Sequence, residues 1–303
     1  MKKDFLSLFD WTKEEIDGFL DRARKLKEEQ KKGVSHPHLS GKTIGMIFDK
    51  PSTRTRVSFE AGMAHLGGQS IFLSGGELQL ARGETIADTA RVMSRYVDGV
   101  VIRTFSHRMV EDFATHAEIP VINGLTDLLH PCQILSDVFT ITEKKGSYEN
   151  LSIVYVGDGN NVANSWINAA MCLGFALTLA CPGEYQPNKG VLARALQQEG
   201  SRIKLTQDAQ EAVRGADVVY TDVWASMGQE REAEGRAEVF KPYQLNQQLL
   251  KTAGKGALVM HCLPAHRGEE ITDEVIDGPQ SVVWDQAENR LHAQKAIMER
   301  LLK

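Results

Sequence analysis

The chain has 303 residues and carries 35 Lys plus Arg against 40 Asp plus Glu, a formal charge of -5. That length suits two domains better than one, and the acidic balance offers no global basic field for nucleic acid or an anionic membrane surface. Charge interrupts the N-terminal "MKKDFLSLFDWTKEE" and no apolar run approaches the ~18 residues of a spanning helix, so a cytoplasmic protein with no membrane or nucleic-acid partner is expected. Cys132, Cys172, Cys181 and Cys262 form no C-x-x-C pair and are too few for a disulfide framework, so reduced thiols are expected.

The first helix opens on a capping box, Thr12 with Glu15, sets Ile16, Phe19, Leu20 and Ala23 on one face, and is expected to stop near Gly33. "KTIGMIFDK" (42–50) is a short apolar run bounded by charge and proline, which reads as a strand buried on both faces. A helix follows, with Ser52 as N-cap, an apolar face through Val57, Ala61, Ala64 and Leu66, and an end at Gly67-Gly68. Further strands are read at 99–105, 151–157, 176–182, 217–224 and 257–264, separated by helical patterns. Repeated βαβ units make the fold α/β. The helix-like stretch within 125–150 is where one half is expected to pass to the next.

"STRTR" (52–56) falls on a helix N-terminus, where unpaired backbone N–H groups and the macrodipole favour an anion. Ser52, Thr53 and Thr55 add hydroxyls and Arg54 adds a guanidinium fork that matches phosphate; the plainer reading is a capped helix with solvated arginines. Arg56 has Glu60 at i+4 and reads as structural. Arg103 ends a strand, where it either meets a ligand crevice or faces solvent. His130 and Gln133 in "HPCQ" either hydrogen-bond a carbonyl or close a turn, and Arg290 in the last helix is either a site residue or a surface one.

"VYVGDGNNVANS" (154–165) is a weak match to the dinucleotide fingerprint, lacking a clear acidic residue about 20 positions on, and presents Asn160 and Asn161 at the loop tip. The loop after Asp222, with Ser226, Met227 and Gly228, is a surface loop or a lid. "MHCLPAHRGEE" (260–270) places Cys262 at a strand's carboxyl end; His261, Cys262 and His266 lack a full ligand set at zinc spacing, so no metal is expected, and a thiol beside a substrate amine is favoured.

Taken in order over the whole chain, "STRTR", "HPCQ", "DVWASMG" and "HCLP" resemble the ornithine carbamoyltransferases of the aspartate/ornithine carbamoyltransferase family. The resemblance implies two Rossmann-like domains with parallel sheets flanked by helices and joined by interdomain helices: a carbamoyl phosphate-binding domain (1–133 plus the helix 287–303) and an ornithine-binding domain (134–286). It implies that Ser52, Thr53, Arg54 and Thr55 hold the phosphate, that Arg103, His130 and Gln133 surround the carbamoyl carbonyl with Cys262 and Leu263 beside it, and that Arg290 closes the anion site. Arg54, Arg103, His130 and Cys262 would be the catalytic residues. Asn161, Asp222, Ser226 and Met227 would hold ornithine, with its side-chain amine facing Cys262. Gln79 would reach a neighbouring subunit's site in a homotrimer with shared active sites, a trimer that in the family is sometimes stacked into larger assemblies. No cofactor is implied. Putrescine and N-acetylornithine, the neighbouring acceptors, fit less well, since one lacks the α-carboxylate and the other has a blocked α-amine.

The chemistry agrees with these implied roles. Carbamoyl phosphate carries its own leaving group, so the protein must orient two reactants and stabilise developing negative charge, which arginines do. The attacking amine, with an ordinary pKa of about 10.4 by analogy with lysine, must lose a proton, and desolvation favours its neutral form.

Overall fold

The computed structural model describes residues 2–79, 83–225 and 233–303. In chain order the first elements are α1 (Lys13–Lys31), β1 (Thr43–Phe48), α2 (Thr53–His65), β2 (Gln69–Ser74), α3 (Ile86–Tyr96), β3 (Gly99–Arg103), α4 (His107–His116), β4 (Val121–Leu125) and α5 (Pro131–Lys145). There follow β5 (Ser152–Val156), α6 (Asn161–Leu173), β6 (Ala176–Ala180), α7 (Lys189–Gln197), β7 (Ile203–Thr206), α8 (Ala209–Val213) and β8 (Val218–Thr221). The remainder is α9 (Ala233–Phe240), α10 (Gln247–Leu250), β9 (Leu258–His261), α11 (Asp273–Ile276) and α12 (Val283–Leu302). Among the described residues no helix is long and apolar enough to cross a membrane.

Two compact units result, one of Met1–Phe139 with Glu288–Lys303 and one of Thr140–Ala287. The chain leaves the first unit within α5 and returns to it within α12. The first unit holds a parallel sheet in the order β2-β1-β3-β4, the second a parallel sheet in the order β7-β6-β5-β8-β9. In each sheet the chain runs outward on one side of its first strand, then returns to add strands on the other. The reversal points lie between β1 and β3 and between β5 and β8, and in open parallel sheets the crevice at the carboxyl ends of such strands takes ligands.

The α1 capping box is present, with the Glu15 N–H on Thr12 Oγ1 at 3.3 Å and the Thr12 N–H on Glu15 Oε2 at 3.1 Å. Ile16, Phe19, Leu20 and Ala23 are buried as their spacing requires, and Gly33 takes a left-handed φ of 68° past the helix end. Phe5, Trp11 and Phe19 meet edge to face or tilted, with centroids 4.9–5.8 Å apart. The second unit buries Val154, Val156, Val219, Phe240 and Val259 in one cluster.

Two sequence expectations are corrected. The buried face of α2 is Thr55, Phe59, Gly62 and Met63, whereas Val57 is 55% exposed and Ala64 is exposed as well. α12 packs against this face at Gly62, where an added Cβ would stand 3.0 Å from Met298 Cε and 3.2 Å from Lys295 Cγ. A glycine, invisible to hydrophobic periodicity, marks the contact. Three strands also escaped the pattern. β2 is an edge strand with mostly partial burial, β4 contains Asn123 and Gly124, and β7 is four residues long with an exposed lysine.

Candidate active site

The first unit brings the residues expected to form an anion cradle to its β1/β3 reversal point. Ser52 follows β1 in extended conformation and its Oγ accepts the Thr55 N–H at 3.1 Å, a cap that sets the backbone of Thr53 and Arg54 at the positive end of α2. Phe48 and Arg103 are partners in the β1/β3 ladder, which sets the end of β3 beside the segment leading to Ser52. Arg103 is 7% exposed and Arg290 only 3%, so neither is a surface arginine. Arg290 donates through Nη2 to Thr55 Oγ1 at 3.3 Å and through Nη1 to Gln133 Oε1, tying α12 to α2 and α5. Gln133 Nε2 in turn donates to Asp137 Oδ1 at 2.8 Å, which fixes the orientation of its amide.

His130 is the electrostatic centre of the cradle. Burial, followed by the charges of Arg290, Arg103 and Arg54, holds its imidazole well below the ordinary value, so it is neutral at pH 7. The charges of three arginines, on α2, β3 and α12, thus act on one ring, an arrangement suited to a multiply charged anion. The sequence reading passed over Lys50, which is 4% exposed, ion-pairs with Asp127 and stands 4.1 Å from the centre of the Phe105 ring. Its place two positions before Ser52 was the available signal. Arg56 has the structural role expected, bonded to Glu60 at 2.9 Å with its guanidinium 3.7 Å from the Phe72 ring centre. Gln79 is exposed and adjoins 80–82, which lie outside the described residues.

The second unit places a carboxylate and a thiol at the carboxyl ends of β8 and β9, beside its β5/β8 reversal point. Thr221 of β8 pairs with His261 of β9, so the next residue on each strand, Asp222 and Cys262, emerges side by side. Cys262 Sγ donates to Asp222 Oδ1 at 2.9 Å, and Asp222 Oδ2 accepts from Asn160 Nδ2 at 2.8 Å. Asn160 is also the N-cap of α6, its Oδ1 accepting the N–H groups of Val162 and Ala163 and the hydroxyl of Tyr155 at 3.2 Å. Asn161, expected to hold the acceptor, is half-buried in the first turn of α6, and its neighbour Asn160 is the amide that orients Asp222. Ser226 and Met227 lie outside the described residues.

Arg236 of α9, which the sequence reading passed over, joins Asp158 Oδ2 at 3.1 Å to the Trp224 carbonyl at 2.8 Å and lies 4.6 Å from the Tyr185 ring centre. Leu263 follows Cys262 with a left-handed φ of 56°, a conformation that costs a branched residue about 1–3 kcal/mol. Its N–H donates to His261 Nδ1 at 2.9 Å.

A dinucleotide site and a zinc site are both poorly served by this geometry. A Cβ on Gly159 would lie 2.2 Å from Pro187 N and 2.3 Å from Gln186 C, so that glycine admits the chain's own backbone instead of a pyrophosphate. Asp222, His261 and Cys262 have ligand atoms within 4.8 Å of one another, yet the thiol and carboxylate are bonded together and both His261 ring nitrogens are engaged. Burial pushes the Cys132 thiol up to about 12 and raises Cys181 further, leaving both inert.

Comparison with known proteins matches both units. The profile for the carbamoyl-P binding domain of aspartate/ornithine carbamoyltransferase covers residues 3–143, and that for the Asp/Orn binding domain covers 149–301. The second span includes the end of α12, which by its contacts belongs to the first unit. The ornithine carbamoyltransferase of Syntrophus aciditrophicus is 64% identical over 302 residues and that of Geobacter sulfurreducens 57% over 303, each with 100% of both chains covered. The solved structure of ornithine carbamoyltransferase from Pyrococcus furiosus is 55% identical, covers 99% of this chain and 97% of its own, and gives a TM-score of 0.95. Matched in both halves and along its full length, the chain belongs to the aspartate/ornithine carbamoyltransferase family.

Proposed function

We propose that this protein is an ornithine carbamoyltransferase, moving the carbamoyl group of carbamoyl phosphate to the side-chain amine of L-ornithine to give L-citrulline and phosphate. The buried, neutral His130 under the charges of Arg290, Arg103 and Arg54, with Arg290 bonded to Thr55 and Gln133, carries the reading. The direction is that of arginine biosynthesis, in keeping with the relative from Pyrococcus furiosus that is named anabolic and is 56% identical. The segments 1–133 and 287–303 serve carbamoyl phosphate, and 134–286 serve ornithine.

The phosphate rests on the Ser52–Thr55 turn against Arg54, with Arg290 on its other side. Neutral His130, Arg103 and Gln133 donate to the carbamoyl oxygen and stabilise the negative charge that grows there as the amine attacks. A neutral imidazole suits this role because its N–H donates without adding a fourth cation among three arginines. Leu263 contacts the carbamoyl group beside Cys262. Asp222 accepts from the α-ammonium of ornithine, and Asn161, Ser226 and Met227 hold its α-amino and carboxylate end. Cys262 faces the attacking nitrogen, whose lone pair forms the new C–N bond as the C–O bond to phosphate breaks. The proton that the nitrogen sheds passes to the departing phosphate.

The protein works in the cytoplasm as a homotrimer in which Gln79 of each subunit reaches its neighbour's site. Acceptor-dependent phosphate release tests the function: ornithine supports turnover, and turnover with a different amine in place of ornithine overturns it.

A further inference from the structure

A buried pair lies just beyond the thiol. His261 Nε2 and Glu270 Oε1 are 2.9 Å apart, with both side chains fully buried. The Leu263 N–H points at His261 Nδ1 from 2.9 Å. A backbone amide can only donate, so Nδ1 bears the lone pair, and the ring proton sits on Nε2, directed at Glu270. Glu270 Oε1 also accepts the His266 N–H at 2.7 Å, and the His261 N–H donates to Gln286 Oε1 at 3.0 Å. Carboxylate, ring and amide therefore form one chain of bonds ending on the left-handed Leu263, the residue next to Cys262.

We propose that His261 and Glu270 are positioning residues for carbamoyl transfer. Glu270 fixes the tautomer of His261, which leaves Nδ1 as acceptor for Leu263 and holds the disfavoured turn that aims the Cys262 thiol at Asp222. Neither residue touches substrate. The proposal rests on the transfer role given to Cys262 above. Its consequence is that losing either link disturbs the thiol by the same route, so the two residues act as a unit.

The test compares wild type with His261→Gln, Glu270→Gln and the double variant. Gln at 261 keeps a polar group toward Glu270 but offers Leu263 no acceptor at the Nδ1 position; Gln at 270 keeps the shape of Glu270 without its charge. Circular dichroism and melting establish that each is folded, and Glu270→Asp replaces any Glu270→Gln protein that is not. Each single variant is expected to lose about 10- to 100-fold in kcat, with KM for carbamoyl phosphate held within about twofold. The double variant is expected to be no worse than the poorer single, since groups acting as one unit are strongly non-additive. Iodoacetamide labelling of Cys262, followed by peptide mass spectrometry, is expected to proceed several-fold faster in both single variants. Unchanged kcat in a folded single variant, or multiplicative losses in the double, overturns the proposal. A wild type that makes no citrulline counts against the transfer reading instead, and the labelling rates still decide the pair: faster labelling supports it and unchanged labelling overturns it.

Discussion

The thiol of Cys262 donates to one oxygen of Asp222 at 2.9 Å while Asn160 donates to the other at 2.8 Å, so a single carboxylate is oriented from the neighbouring strand and a helix cap. Charge-assisted hydrogen bonds are worth about 1.5–3 kcal/mol, or roughly 10- to 150-fold in rate where they act on the transition state. Cys262→Ala should therefore lower kcat by that order, and Cys262→Ser, which keeps a donor to Asp222, should lower it less. KM for carbamoyl phosphate should stay near wild type in both. Initial-rate kinetics with each substrate varied in turn decides the point, and a selective loss of carbamoyl phosphate affinity would contradict the role.

Arg54→Ala removes a charge that is only half-buried, so the fold should survive while the phosphate loses a contact worth about 1.5–3 kcal/mol and the geometry that contact fixes. Turnover should fall by at least about 10- to 150-fold with an unchanged circular dichroism spectrum. Near-normal activity would refute the cradle.

The charges of Arg290, Arg103 and Arg54 act together on the uncharged His130, so a bound anion should be stabilising. Inorganic phosphate alone should raise the melting temperature, by a stabilisation near 2.7 kcal/mol at a hundred times its dissociation constant. Arg54→Ala and Arg290→Ala should each blunt the rise. Calorimetry across a phosphate series, against chloride at equal ionic strength, provides the check.

Acid should weaken the protein through its buried histidines. Burial, then the charges of Arg290, Arg103 and Arg54, depresses His130 well below 6.5; burial, then Lys295, Lys27 and Lys31, brings His292 down to about 3. Below pH 6.5 the unfolded chain binds protons that these folded-state rings refuse. Stability is then fully present above pH 6.5 and is lost as pH falls toward the folded values, with a slope of up to about 1.4 kcal/mol per unit for each ring. Urea midpoints at pH 7.5, 6.5 and 5.5 should decline in that order, and His292→Gln should flatten the decline.

The sequence disclosed features whose signal is local. Thr12 with Glu15, and Ser52 ahead of "TRTR", are spacing rules, and the structure forms both caps. The six strands read from apolar runs are all present, because a parallel sheet covered on both faces demands such runs. Features that depend on distant partners were less legible. Nothing near Arg290 marks it as buried; its burial follows from Thr55 and Gln133, far away in the chain. Asn160 and Asn161 are chemically identical and adjacent, and the sequence does not show that Asn160 is the one that bonds Asp222. Val57 was assigned to the core since apolar spacing cannot show that α12 approaches over Gly62. His261 and Glu270 are nine positions apart with no periodic relation, and the turn between them decides their meeting.

The most direct measurement is citrulline formation from carbamoyl phosphate and L-ornithine, run beside L-aspartate, putrescine and N-acetyl-L-ornithine with phosphate release as the common readout. Ornithine alone should sustain release, with citrulline and phosphate appearing in equal amounts. Release sustained by another amine while ornithine stays inactive, or no release above the spontaneous breakdown of carbamoyl phosphate, would contradict the assignment.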